Sequence, residues 1–115
     1  MRPLVIATLP LSLPGCRSHP CANAQIAEDV SPSGKLKTVT FRRDCGATTK
    51  ETVQISILPS KEALPNEVGN VFVARATPTV VVHWIDDRHL TISGGHSSSA
   101  FQATKSFREV EITYE

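Results

Sequence analysis

Aromatic side chains are scarce in this chain of 115 residues, which has four Phe, one Trp and one Tyr. So thin a supply builds no stacking platform for single-stranded nucleic acid. An excess of either charge is missing too. Twelve Lys and Arg against eleven Asp and Glu leave a formal charge of +1, with no electrostatic footprint for nucleic acid or anionic lipid. No apolar run approaches the ~20 residues of a membrane-spanning helix. Glycine-rich phosphate loops, a Gly-x-Ser-x-Gly elbow and internal repeats are all absent. Helical periodicity is absent as well, so an amphipathic helix is not expected.

What is present begins with an address. Met1 and Arg2 precede a mostly apolar run over residues 4–13, and Pro14-Gly15-Cys16 follows. A basic start, an apolar stretch of ~7–15 residues and small residues after it describe a secretory signal. Leu13-Pro14-Gly15-Cys16 is similar to the lipobox of bacterial lipoproteins, which implies lipidation of Cys16 and a mature chain that starts there. Ala22-Asn23-Ala24 offers a second cleavage pattern, with Gln25 first. The expected organisation is a signal over residues 1–15, disordered in the folded protein, then a linker over 16–30 and one domain over 31–115. Export to the periplasm or cell surface follows from it, with membrane contact only through the lipid.

The three cysteines bear on the same question. Lipidation of Cys16 leaves Cys21 and Cys45, and two thiols form one disulfide in an oxidising compartment. Cleavage after Ala24 instead removes Cys21 and leaves Cys45 as a buried or reactive thiol.

From residue 31 onward the apolar period is two. Residues 31–35, Ser-Pro-Ser-Gly-Lys, form a turn in which Pro32 pre-sets φ. Val39 and Phe41 then alternate with polar neighbours, as do Val53, Ile55 and Ile57. Further β-rich runs lie around Val71–Val73, Val80–Ile85, Leu90–Ile92 and Val110–Tyr114. Six such runs predict an all-β antiparallel meander, as a sheet, a sandwich or an open barrel. Burial of Val82 and Trp84 together with Leu90 and Ile92 requires an odd loop, Asp86-Asp87-Arg88. That register opposes Trp84 to Leu90 and Ile85 to His89, and puts His83, Ile85, His89 and Thr91 on the other face. Residues 93–106, rich in Gly and Ser, read as a mobile linker.

Three groups of residues invite a chemical reading. His83 and His89, diagonal on one face, make a metal site of N and O ligands if Asp86, Asp87 and His96 complete it. The plainer reading is a solvated face with a turn capped by aspartates, since no ligand-motif spacing is matched. Cys45 beside Gly46, with His19, His83, His89 or His96 as base, is a formal nucleophile pair. It lacks an oxyanion site and an orienting carboxylate, so the chain is read as non-catalytic, without a cofactor. Arg42, Arg43 and Asp44 are the candidate binding residues, able to present guanidinium groups to a carboxylate or phosphate.

The sequence resembles a group of small uncharacterised bacterial exported proteins. The likeness lies in the Ser-Pro-x-Gly-Lys turn at residues 31–35 and in Arg43-Asp44-Cys45-Gly46-Ala47-Thr48-Thr49. Leu64-Pro65-Asn66, the run from Gly69 to Ala74, Val82-x-Trp84 and Leu90-x-Ile92 extend it over residues 21–92. In such proteins a cysteine near the mature start accompanies the central one, so the resemblance implies a Cys21–Cys45 pair. It implies no activity, cofactor or ligand. The expectation is a monomeric binding module of the cell envelope. Its partner is an envelope protein or wall component, met through a sheet edge or the loops at 42–49 and 93–106. The alternative is a small metal-binding protein or hydrolase built on His83 and His89.

Overall fold

In a computed structural model of the protein the described residues are 21–46, 50–75, 79–94 and 100–115. Among them are nine strands and no helix: β1 (Ala22–Val30), β2 (Leu36–Asp44), β3 (Thr52–Pro59), β4 (Phe72–Arg75), β5 (Val81–Asp86), β6 (His89–Ser93), β7 (Gln102–Ala103), β8 (Ser106–Phe107) and β9 (Val110–Tyr114). They form two open sheets, ordered β1-β2-β3-β4-β7 and β5-β6-β9-β8. Every pairing is antiparallel except β6 with β9.

The all-β expectation holds, and of the three architectures left open the structure selects a sandwich. Period-two alternation puts Ile55 and Ile57 of β3 on one face beside Phe72. That face packs on Trp84, Leu90, Ile92, Val110 and Ile112 of the second sheet in one buried cluster. Each such side chain contributes roughly 1.5–3 kcal/mol when taken from water. A smaller cluster, Val39, Phe41 and Leu58 with Leu64, lies on the far side of the first sheet. Leu64 belongs to the connection over residues 60–70, which therefore serves as a cover. Coverage on both sides explains why every residue of β3 from Val53 to Leu58 is buried.

The cover is fastened by polar groups that replace strand pairing. Gly69 N–H donates to Gln54 Oε1 at 2.6 Å and Asn70 N–H to Ser56 Oγ at 3.1 Å. The Asn70 amide accepts from Ile57 N–H at 2.8 Å and donates to Ile57 C=O at 3.0 Å, as a neighbouring strand does. Buried Gln54 and Ser56 thus keep hydrogen-bond partners and escape the cost of an unpaired polar group.

Four sequence expectations change. Residues 22–30 are not linker but edge strand β1, whose exposed, polar character follows from pairing with β2 on one side only. The six-strand meander becomes nine strands. The two-residue β7 and β8 are too short to show a period, and the parallel β6–β9 pair needs a long crossover rather than a turn. Residues 100–106 of the expected mobile linker are paired: β7 joins β4, and Phe101 N–H and Thr104 N–H donate to Val73 and Val71 carbonyls, each at 2.8 Å. Finally, Trp84 opposes Leu90 and Val82 opposes Ile92 as expected, but His89 opposes Asp86 and Ile85 bulges out. A two-residue turn, Asp87-Arg88, plus one bulged residue preserves the parity that the three-residue loop was meant to supply. Thr91, placed with His83 on the outer face, is buried all the same. Residues 1–20 and His96, and with them the signal, Cys16 and His19, lie outside the described residues, as do Ala47, Thr48, Thr49 and residues 97–99.

Candidate functional site

At one end of the first sheet Cys21 and Cys45 form a disulfide, S–S 2.05 Å, that joins the start of β1 to the end of β2. Beside it Arg43 donates from Nη1 to Asn23 Oδ1 at 2.8 Å and to Asn66 Oδ1 at 2.9 Å. Asn23 donates in turn to the carbonyls of Pro65 and Glu67, and Asn66 to that of Cys21. Arg43 is therefore the centre of a clasp that ties β1 and β2 to the cover. Arg42 lies 3.6 Å from Glu51. Asp44 accepts Gly46 N–H at 3.0 Å within its own turn. The three candidate binding residues thus share one strand end but already hold protein partners. Against the clasp lies a cleft of about 450 Å³ lined by Ala22, Asn23, Gln25, Leu64 and Asn66. In the sequence Asn23 figures only in a cleavage pattern and Asn66 only in a resemblance, because their clasp depends on a strand hidden in an apparent linker.

His83 opposes Thr91 on β6, and His89 Nδ1 sits 2.8 Å from Asp86 Oδ1. Asp86 also accepts Arg88 N–H, and that backbone bond first, then His89, holds its carboxyl below the usual range. Asp87 turns the other way and accepts Ser33 N–H at 2.9 Å, which lowers it likewise. Among the described residues no three His, Cys, Asp or Glu are grouped to hold a metal ion. His89 is spent on the turn that carries it.

The Asp87–Ser33 bond crosses between the sheets and marks a second cleft, of about 380 Å³, where three turns meet. The β1–β2 turn brings Ser31, Ser33 and Lys35, the β5–β6 turn Asp87 and Arg88, and the β8–β9 turn Arg108 and Glu109. Gly34 takes φ +80° in the first, as its place in the Ser-Pro-x-Gly-Lys motif anticipates. In the third, Arg108 and Glu109 take φ +52° and +66°. A two-residue hairpin demands this conformation, and side-chain-bearing residues adopt it at roughly 1–2 kcal/mol each. Reasoning from the sequence missed this turn because Asn-Gly or Asp-Gly is its usual signature.

β1 and β5 are edge strands of different sheets and pack against one another. The Trp84 indole N–H donates to Asp29 C=O at 3.1 Å across that junction. Ile26 and Val30 of β1 and Val81 and Ile85 of β5 are about half exposed or more. Ile26 is the extra residue of a bulge, opposed by nothing on β2.

Architecture and clefts together define a small two-sheet β-sandwich, stapled at one end by a disulfide. Comparison of the chain with protein-family models, curated proteins and solved structures gave no match. No helix among the described residues is long and apolar enough to cross a membrane.

Proposed function

We propose that the protein is an exported, lipid-anchored, non-catalytic module of the bacterial cell envelope that binds a partner protein by strand addition along β1. The observation that carries this reading is the β1 edge. It has nine residues with no Lys or Pro, it is almost wholly exposed, and it displays Ile26 and Val30. Long exposed edges are templates for another strand, here along the stretch outside the Ile26 bulge and the Asp29 carbonyl already taken by Trp84. Asp29 near one end favours a cationic residue in the incoming segment, Glu28 being already paired with Lys37 at 3.4 Å.

Two further observations support export and the anchor. A disulfide fits an oxidising compartment. Cleavage after Ala24 would strip the first residues of β1 and Cys21 from the fold, whereas cleavage before Cys16 leaves both in place.

The test is crosslinking capture from intact envelopes with the wild-type chain, an Ile26→Lys/Val30→Lys variant and a Lys105→Gln control. A partner held by the wild type and control, lost from the edge variant, and protecting β1 amides from hydrogen exchange is the expected result. Capture that survives the edge variant, or only background with the wild type, overturns it.

A further inference from the structure

The cleft between the three turns points to a second binding site, independent of the β1 edge. Its lining carries three cations, Lys35, Arg88 and Arg108, and two carboxylates, Asp87 and Glu109. Arg88 and Glu109 are a pair at 3.7 Å. Asp87 accepts the Ser33 N–H and is committed to holding the turns together. Lys35 and Arg108 are left with no carboxylate partner among the described residues, although Arg108 lies 5.5 Å over the Phe107 ring. One stands on a turn of the first sheet, the other on a turn of the second, and both line the same cleft.

The backbone at Arg108 adds a second, separate observation. Residues 108 and 109 connect β8 to β9 in a hairpin whose central positions both have positive φ. Gly or Asn adopts that conformation with little strain, yet Arg and Glu stand there. Backbone strain beside a cleft directs attention to what the strained side chains do there. Here Arg108 contributes a cation and Glu109 steadies Arg88.

We propose that this cleft binds a phosphate group, either as the free ion or as part of a larger anionic molecule. Two cationic side chains that approach from separate turns suit a ligand whose acceptor oxygens point in several directions. The tetrahedral phosphate offers acceptor oxygens on every side, whereas a carboxylate offers them within one plane. The lining as a whole has only one positive charge in excess, because Asp87 still faces the same space. Binding is therefore weak, salt-sensitive and opposed by Asp87.

The experiment is a titration of the full chain, ¹⁵N-labelled, with inorganic phosphate and in parallel with polyphosphate, followed by amide chemical shifts. The expected result is saturable shifts at residues 31–36, 87–88 and 108–109, weakened about ten-fold or more by Lys35→Gln and by added salt. Asp87→Asn keeps the acceptor for Ser33 but removes the charge, and it tightens phosphate binding. Arg108→Gly relieves the backbone, so Tm rises by a few degrees while phosphate affinity falls. A stronger response to inorganic phosphate identifies a free-ion ligand. A stronger response to polyphosphate, at the same residues, identifies a polymer-borne one. Shifts spread over all lysines and arginines, no saturable shift with either probe, or undiminished binding in both Lys35→Gln and Arg108→Gly overturn the site. No partner protein enters the experiment, so its failure leaves the β1 reading untouched, and the reverse holds.

Discussion

Gly69 lies where the cover turns back toward β4, against two backbone oxygens and the Cβ of Gln54. A Cβ there would stand 2.8 Å from Ile55 O and 3.0 Å from both Phe72 O and Gln54 Cβ. None of these gives way without moving a strand, so Gly69→Ala is expected to destabilise the fold by about 1–3 kcal/mol, read from urea denaturation. Tyr114 is the second residue with a sharp expectation. Its hydroxyl donates to Thr104 C=O at 2.7 Å, and burial raises its pKa from 10.0 to about 12. The unfolded chain therefore loses this proton first. The stabilising contribution is whole below pH 10 and is lost as the pH climbs from 10 toward 12. As the chain has one tyrosine, its absorbance near 295 nm follows that ionisation directly. A midpoint at the ordinary tyrosine value would contradict the burial. Asp87 works in the opposite sense: its carboxyl is held low, so the turn-to-turn bond to Ser33 is present at neutral pH and fails as acid protonates it.

The element that depends most on covalent help is β1. It buries little of its own surface and holds to the sheet by its ladder with β2, the Asn23 clasp and the disulfide. In the chain-entropy view a bridge across 24 residues of separation restricts the unfolded chain by roughly 3–3.5 kcal/mol. Cys21→Ser/Cys45→Ser is accordingly expected to lower Tm. It should also speed amide exchange in β1 before the strands of the second sheet, as hydrogen-exchange mass spectrometry would show. Uniform acceleration across both sheets would mean that β1 is integral to the core. How legible each element was in the sequence follows its burial. β2, β3, β5, β6 and β9 have one face in the core, and their period of two is plain in the residues. The exposed β1 has no apolar set to alternate, and β7 and β8 span two residues each, so only tertiary pairing marks them as strands. The Cys21–Cys45 pair was one of the alternatives that the cysteine count left open. The three-turn cleft was not legible, because it gathers residues 31–35, 87–88 and 108–109 that share no motif.

At the scale of the molecule the sheets are joined by the Trp84 indole bond to Asp29 as well as by the apolar cluster. Trp84→Phe loses both the bond and part of the buried ring, so a destabilisation above the ~1 kcal/mol of the bond alone is expected in denaturation. The single tryptophan also makes fluorescence a reporter of the sheets parting. Its transition should coincide with that of far-UV circular dichroism if the sandwich unfolds as one unit. Strand order carries one more implication. β9 lies between β6 and β8, and the chain visits the first sheet as β7 before it returns to supply them. Leu90 and Ile92 therefore have no neighbour on their β9 side until residues 110–114 have arrived. A ribosome that delivers the chain from its N-terminus holds back the strand that completes this pairing until after β7 and β8. The second layer then stays open along β6 until β9 itself has been delivered.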